Sequence, residues 1–152
     1  MRIWLLMPLM IACSNSSSSS ASSGSGLVGS YDDCTTSSTN ASLPPQVGGD
    51  FSLYPIGSTL TITSDSNSLN MTGGTCGLRI TPTDDDHGTI PNSLDCTEVY
   101  GDAGASAYIY YANGTVSLSG ATLTISMHET LDGAGNQSLT GSADTVTTCT
   151  RM

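Results

Sequence analysis

The chain is 152 residues long, which suits a single domain, and charged residues make up only 11% of it. Three arginines, no lysine and thirteen acids give a net charge of −10, which excludes nucleic acid as a partner because phosphate binding needs a basic surface. A hydrophobic share of 37% with abundant Thr, Ser and Gly favours short strands over helices and predicts an all-β fold.

Residues 1–12 have the features of an export signal. Arg2 precedes an apolar run that is too short for a bilayer-spanning helix, which needs roughly twenty residues. The run ends in Met10-Ile11-Ala12-Cys13, which resembles the lipobox of bacterial lipoproteins, where a small residue precedes a cysteine that is lipidated and becomes the new N-terminus. The family prefers Leu at the place of Met10. The resemblance implies a signal peptide over 1–12 and lipidation of Cys13; the alternative is an ordinary secretory signal with an incidental cysteine.

A Ser-rich stretch follows, and with Cys13 it forms a tether over residues 13–26. Its composition cannot bury enough apolar surface to fold, so a flexible coil is expected. In the lipoprotein family, Ser at the position of Ser14 goes with outer-membrane sorting in hosts that have two membranes. The resemblance implies an outer-membrane lipoprotein of the cell envelope, held at the membrane by its lipid anchor; the alternative is a secreted protein.

Alternating apolar and polar residues over 27–152 predict a β domain of short strands and tight turns. The turns are predicted at Ser64–Asn67, Gly73-Gly74, Asn113-Gly114 and Ser119-Gly120, of which Asn113-Gly114 is the strongest hairpin signal. The apolar positions of the alternating segments are Leu60, Ile62, Leu69, Met71, Leu78, Ile80, Leu94, Cys96, Ala107, Ile109, Tyr111, Val116, Leu118, Leu123, Ile125 and Met127. A last strand is expected from about Leu139 to Arg151.

Short connections between eight or nine strands describe an antiparallel up-and-down meander. Closure into a barrel of about eight strands would remove the two exposed edges of such a sheet. A two-layer sandwich is the alternative, but it needs long crossovers, and only residues 35–56 and 82–92 are long enough to supply them.

The two ends of the domain carry a further resemblance. Gly29-Ser30-Tyr31 begins the first strand and Arg151 lies on the last, which is similar to lipocalin-like barrels, where a Gly-x-Trp packs under a basic residue of the final strand. Tyr31 replaces the Trp. The resemblance implies that Tyr31 and Arg151 are a barrel-closing pair, with the cation over the ring and its donors on nearby carbonyls.

Four cysteines remain after Cys13, an even number that indicates disulfides in an exported chain rather than a metal site. Four cysteines allow three pairings, and their spacing does not choose between them. Closure of the meander would put the first strand beside the last, which predicts Cys34–Cys149 and leaves Cys76–Cys96 on strands that follow one another.

No pattern of catalytic residues is found. Asp84-Asp85-Asp86-His87 could offer oxygen ligands to calcium, but its spacing does not fit an EF-hand loop, and a solvated acidic turn is expected. His128 and Glu129 are neighbours on a strand, so they point to opposite faces and cannot readily work together. We expect no enzymatic activity, no cofactor and no metal.

Two functions remain open. Tyr108 and Tyr110 share the outward face of a predicted strand and are candidates for a binding surface, although they could simply cover the barrel wall. The first function is a binding module for a small apolar ligand or a peptide. The second is a structural or interaction lipoprotein, similar to an inhibitor or adhesin, with a packed core and a protein partner. Large inward residues favour a filled interior.

Overall fold

The computed structural model describes residues 25–42, 56–74, 77–91, 96–100, 105–134 and 140–152, with the backbone alone described for 25, 96–100, 105–113, 131–134 and 140. A 3₁₀ turn, Ser25–Leu27, precedes nine strands. They are β1 Gly29–Ser42, β2 Ile56–Asp65, β3 Ser68–Gly74, β4 Leu78–Pro82, β5 His87–Ile90, β6 Cys96–Tyr100, β7 Ala105–Ser119, β8 Thr122–Ala134 and β9 Thr140–Arg151.

The strands form one antiparallel sheet that closes into a barrel, which confirms the predicted all-β, up-and-down architecture. The sheet order is β5-β4-β3-β2-β1-β9-β8-β7-β6, and an additional β5–β7 pairing joins its ends. The closed ring contains eight strands. β5 pairs with the second half of β7, from His87↔Ser117 to Ile90↔Gly114, and β6 pairs with the first half of β7. β6 therefore extends the line of β5 along the same edge of β7.

The barrel has two unlike ends. Gly29, Arg151 and the turns after β2, β4 and β7 lie at one end, here called the floor, and Ser42, Ile56 and the opposite strand ends lie at the rim. β1, β7, β8 and β9 contain 12–15 residues each, whereas β4 and β5 contain 5 and 4. The wall made by the four long strands is consequently taller than the wall opposite.

In the part of the ring whose side chains are described, alternating apolar side chains point inward and form one buried cluster. Of the predicted core positions whose side chains are described, Leu60, Ile62, Leu69, Met71, Leu78, Ile80, Val116, Leu118, Leu123, Ile125 and Met127 are all buried. Leu27, Tyr31, Ile90, Ala143 and Cys149 belong to the same cluster. Fully burying one such large side chain contributes about 1.5–3 kcal/mol, so this cluster is the main source of stability.

Asn113-Gly114 does not form the predicted hairpin. It lies inside β7, where the register against β8 shifts between Ala112 and Thr115. A Cβ at Gly114 would lie 2.7 Å from the Cβ of Ile90, so glycine here allows β5 to approach β7. The Asn-Gly pair therefore marks a strand irregularity, and its glycine serves ring closure.

The long connection expected over 82–92 is also different in the structure. Residues 83–86 turn the chain, and His87–Ile90 is a strand that bonds to both β4 and β7. Likewise, β1 continues to Ser42, so residues 35–42 belong to the tall wall. The room for long crossovers is smaller than the sequence indicated, and a sandwich is not formed.

Candidate functional site

The floor is sealed by the residues that precede β1. Leu27 is fully buried in the core, and three consecutive carbonyls around it accept hydrogen bonds from side chains. Arg151 donates to the carbonyl oxygens of Gly26, at 3.0 Å, and Val28, at 2.8 Å. The Tyr31 hydroxyl donates to the Leu27 carbonyl at 2.7 Å. Gly26, which the sequence assigned to the tether, is thus in contact with the barrel.

Tyr31 and Arg151 lie directly opposite each other on β1 and β9. Burial raises the pKa of the Tyr31 phenol above its ordinary value, and the charge of Arg151 opposes this shift in part. The phenol therefore stays protonated and remains a donor to Leu27. Capping of carbonyls by the arginine agrees with the lipocalin-like expectation, while stacking of the guanidinium on the ring stays a prediction.

Gly26 fits closely against the acidic turn between β4 and β5. A Cβ at Gly26 would collide with the carboxylate of Asp86 and lie 2.6 Å from the carbonyl oxygen of Asp85. The turn is itself tied to the barrel, because the Leu118 amide donates to the Asp86 carbonyl at 2.8 Å. The floor therefore joins the N-terminal segment, the acidic turn and both terminal strands.

The floor contacts predict energetic coupling between Tyr31 and Arg151. Tyr31→Ala and Arg151→Ala should each lower the free energy of unfolding, because each removes a donor to the same three-residue segment. The double variant should lose less than the sum of the two, with a coupling of about 0.5–2 kcal/mol if the cation also contacts the ring. Urea unfolding of the four proteins measures this. Additive losses would contradict a shared role at the floor.

A disulfide joins the first and last strands, as predicted. Cys34 and Cys149 are bonded at 2.07 Å with Cα atoms 4.1 Å apart. The register of β1 against β9 shifts between Asp32 and Thr35, and Asp33 has a φ of 50°. Asp tolerates this left-handed conformation better than most residues. The extra residue places Cys34 opposite Cys149.

The predicted Cys76–Cys96 bridge lies outside the described side chains. Cys76 is not among the described residues, and for Cys96 the structure gives the backbone pairing with Ile109 on β7. Cys13 is also outside the described residues. The second bridge and the lipid site therefore remain predictions.

Inside the barrel, a polar layer on β8 and β9 lies beside the apolar cluster. Its members are at most 1% exposed to solvent, and they are Glu129, Thr145 and Thr147. Thr145 donates to Glu129 Oε1 at 2.7 Å, and the hydroxyls of Thr36 and Thr147 are 2.8 Å apart. The sequence did not single out these residues, although Thr145, Thr147 and Cys149 alternate in phase along β9. This polar layer suits hydrogen bonding better than the burial of an alkyl chain.

His128 and Glu129 point to opposite faces of β8, as predicted. Glu129 is buried, whereas the His128 side chain is 45% exposed and contacts Asp144 on β9 at 2.7 Å. Asn40 on β1 donates to the other oxygen of Asp144 at 2.9 Å. The sequence missed this partner of His128 because it lies 16 residues away and meets it only through the β8–β9 register.

The hydrogen bonds from Asn40 and then His128 hold the pKa of Asp144 below its ordinary value. A lowered carboxyl pKa stabilises the fold above the unfolded pKa, and this contribution is lost as pH falls through the folded pKa. Asn40→Ala should therefore raise the pKa of Asp144, and wild type should be the more stable of the two mainly above the unfolded pKa of about 3.9. An NMR titration of the carboxyl carbons would measure this shift.

Asp84 provides the internal control for that titration. Its pKa is lowered first by a hydrogen bond with His87, 2.8 Å away on the floor, and this pair does not involve Asn40. Its midpoint should not move in Asn40→Ala. If the titration midpoint of Asp144 is also unchanged in Asn40→Ala, the Asn40 side-chain amide does not hydrogen-bond to this carboxylate in solution.

Hydrogen bonds within the acidic turn stabilise its conformation. Asp84 Oδ1 accepts from the Asp86 amide at 2.9 Å and contacts His87 Nδ1. Among the described residues, no group of three His, Cys, Asp or Glu side chains is arranged to hold a metal ion. Geometry within the turn is consistent with the solvated acidic turn expected from the sequence.

The outside of the barrel offers two further features. A groove of about 790 Å³ runs beside β3 and β4, lined by Thr63, Asn70, Met71, Thr72, Gly77, Leu78, Arg79 and Pro91. Arg79 is exposed there and contacts Asp65 at 3.8 Å. On the tall wall, the register places Tyr108 opposite Asp132 and Tyr110 opposite Thr130, but the side chains of both tyrosines are outside the described part.

No family model, curated protein or solved structure matches this chain. No helix in the described ranges is long and apolar enough to cross a membrane. The fold and the floor define a class: a small antiparallel β-barrel with an apolar core, whose floor is sealed by the segment that precedes the first strand.

Proposed function

We propose that this protein is an envelope lipoprotein that interacts with a protein or peptide partner through the outside of a packed β-barrel. The observation that carries the proposal is the apolar cluster that packs the described part of the interior. Large apolar side chains from the strands of the ring form one buried cluster, and Leu27 and Tyr31 fill its floor. A barrel of about eight strands either fills with its own side chains or holds one small ligand.

An apolar ligand inside the barrel is the alternative function. Three buried groups beside the apolar cluster are polar, namely the hydroxyls of Thr145 and Thr147 and the carboxyl of Glu129. Burying an alkyl chain against these groups would compete with their hydrogen bonds, which is unfavourable. The groove beside β3 and β4 is larger than the roughly 300 Å³ of a small ligand site, but Thr63, Thr72 and Arg79 on its lining are exposed outward, so it suits a peptide better.

Native mass spectrometry of the protein extracted from membranes of its own host tests the proposal. We expect an N-terminal Cys13 that carries acyl chains, and no small molecule retained by the barrel. A stoichiometric apolar compound that stays bound through purification would contradict the packed-core function and favour the carrier.

Cys13→Ala should release the protein from the membrane fraction. Each buried CH₂ of an acyl chain contributes about 0.8 kcal/mol of membrane affinity, and the acidic domain has no basic patch to replace that attraction. Fractionation of cells that express wild type, Cys13→Ala or the matched Ser16→Ala variant measures the effect. If Cys13→Ala stays wholly with membranes, a lipid on Cys13 is not what anchors the protein.

A further inference from the structure

The tether joins the barrel at a position where the chain is held by several contacts. It reaches the fold at Gly26, which is enclosed by Arg151, the acidic turn and the buried Leu27. The segment Gly26–Val28 has all three of its carbonyls bonded by Tyr31 and Arg151, so it is part of the floor. We call this segment the latch.

We propose that the latch makes the floor the point of attachment to the membrane tether, so that the acidic floor lies nearer the bilayer than the rim does. This inference rests on the proposed lipid anchor at Cys13. The chain from residue 13 to residue 25 spans at most about 40 Å when fully extended. The latch sets where that span ends, because Gly26 is held at the floor by Arg151 and lies against the acidic turn.

Because the barrel is tall, an orientation with the floor towards the bilayer can be distinguished from one with the rim towards it. β1 runs from the floor to the rim over 14 residues. At about 3.3 Å per residue and a strand tilt of about 40°, its ends differ in height by roughly 30–35 Å. A tether joined at the floor therefore places the rim much farther from the lipid than the floor.

The charge of the floor adds a second feature of this surface. Asp32, Asp33, Asp65, Asp84, Asp85 and Asp86 lie at or near this end. The Arg151 guanidinium directs two of its nitrogens to the latch carbonyls. Anionic headgroups should repel this end over about a Debye length, roughly 10 Å at 0.1 M salt, so the floor faces the bilayer at a distance and does not dock on it.

Energy transfer on vesicles tests the orientation without depending on native lipidation. The chain from residue 13 to 152 is attached through an N-terminal His tag to vesicles of phosphatidylcholine with nickel-chelating lipid and a headgroup acceptor dye. A fluorescent amino acid is placed either at Asn67, in the exposed turn on the floor, or at Ser42, at the rim. We expect Asn67 to lie nearer the acceptor plane, by up to about 30 Å. Equal transfer, or greater transfer from Ser42, overturns the proposal even if Cys13 is lipidated in the host.

Arg151→Leu tests the role of the latch itself. Loss of both guanidinium bonds should free Gly26–Val28, seen as faster amide hydrogen exchange there, and should shrink the difference in transfer between Asn67 and Ser42. Arg79→Leu is the matched control, because it makes the same change in charge at an exposed arginine on β4 whose partner is Asp65 and not the latch. An undiminished difference in Arg151→Leu with a freed latch would show that the latch does not set orientation.

Tyr31→Phe is a second variant that tests the role of the latch if Arg151→Leu does not fold. It removes the hydroxyl bond to Leu27 and leaves the ring in the core. Faster exchange at Leu27 and Val28, with a smaller difference in transfer, supports the proposal. Faster amide exchange with an unchanged difference in energy transfer overturns the proposal, and so does unchanged amide exchange.

A separate experiment tests the repulsion between the acidic floor and anionic lipid. Adding phosphatidylglycerol to the vesicles should move the Asn67 label away from the bilayer at low salt and let it return at high salt. If the label does not move, the electrostatic part of the proposal is overturned.

Discussion

Replacing both Cys34 and Cys149 with alanine should lower the free energy of unfolding by about 4–5 kcal/mol, the largest loss expected from any small change in this chain. The bridge closes a loop across a sequence separation of 115 residues. In the chain-entropy model, a loop of about a hundred residues contributes about 4.7 kcal/mol, because the cross-link restricts the unfolded chain. In the folded state β1 and β9 already pair along most of their length, so the bridge constrains little there.

Urea unfolding of the double variant and wild type would measure this loss. The cross-link also keeps the unfolded chain compact, so its removal should increase the dependence of the free energy on urea as well. The matched control is Thr35→Ala with Thr148→Ala, a neighbouring pair on the same two strands that carries no cross-link. Equal midpoints for wild type and the double variant would mean that the bridge is absent in solution or that the unfolded chain is already restricted.

Ile80→Ala should cost about 2–5 kcal/mol, because it removes a fully buried side chain and leaves a cavity. Ile80 lies on β4 and packs against Gly88, where the narrow side of the barrel joins β5. This part of the ring has the shortest strands and the fewest neighbouring pairs to compensate. The loss should therefore appear as a large fall in thermal and urea stability.

Thr81→Ala is the matched control for Ile80→Ala. Thr81 is the next residue on β4 and is exposed on the outer face, so its truncation should change stability by no more than about 0.5 kcal/mol. The contrast tests the register of β4 directly, since a slip by one residue would exchange the faces. Similar losses from the two variants would contradict the inward position of Ile80.

Local alternation was sufficient to predict much of the barrel. Leu60 and Ile62, Leu69 and Met71, and Leu123, Ile125 and Met127 point inward because side chains alternate along any strand. Closure of the meander then placed the first strand beside the last, which predicted the Cys34–Cys149 bridge before any coordinates. The resemblance to lipocalin-like barrels implied that Tyr31 and Arg151 meet, and the two residues lie opposite each other on β1 and β9.

Tertiary structure alone decided the remaining features, because each depends on pairs that are far apart in sequence. His87–Ile90 has a composition typical of a loop, and it is a strand because β4 and β7 offer it partners on both sides. Asn113-Gly114 favours a hairpin locally, yet bonding of β7 to β5 and β8 outweighs that preference and keeps the strand continuous. The acceptors of Arg151 at Gly26 and Val28, and the partner of His128 at Asp144, follow from register and chain path. Sequence thus determined which face of most strands is buried, which is a local property, while the β5–β7 pairing that closes the ring, the latch and the polar contacts required the three-dimensional positions of distant residues.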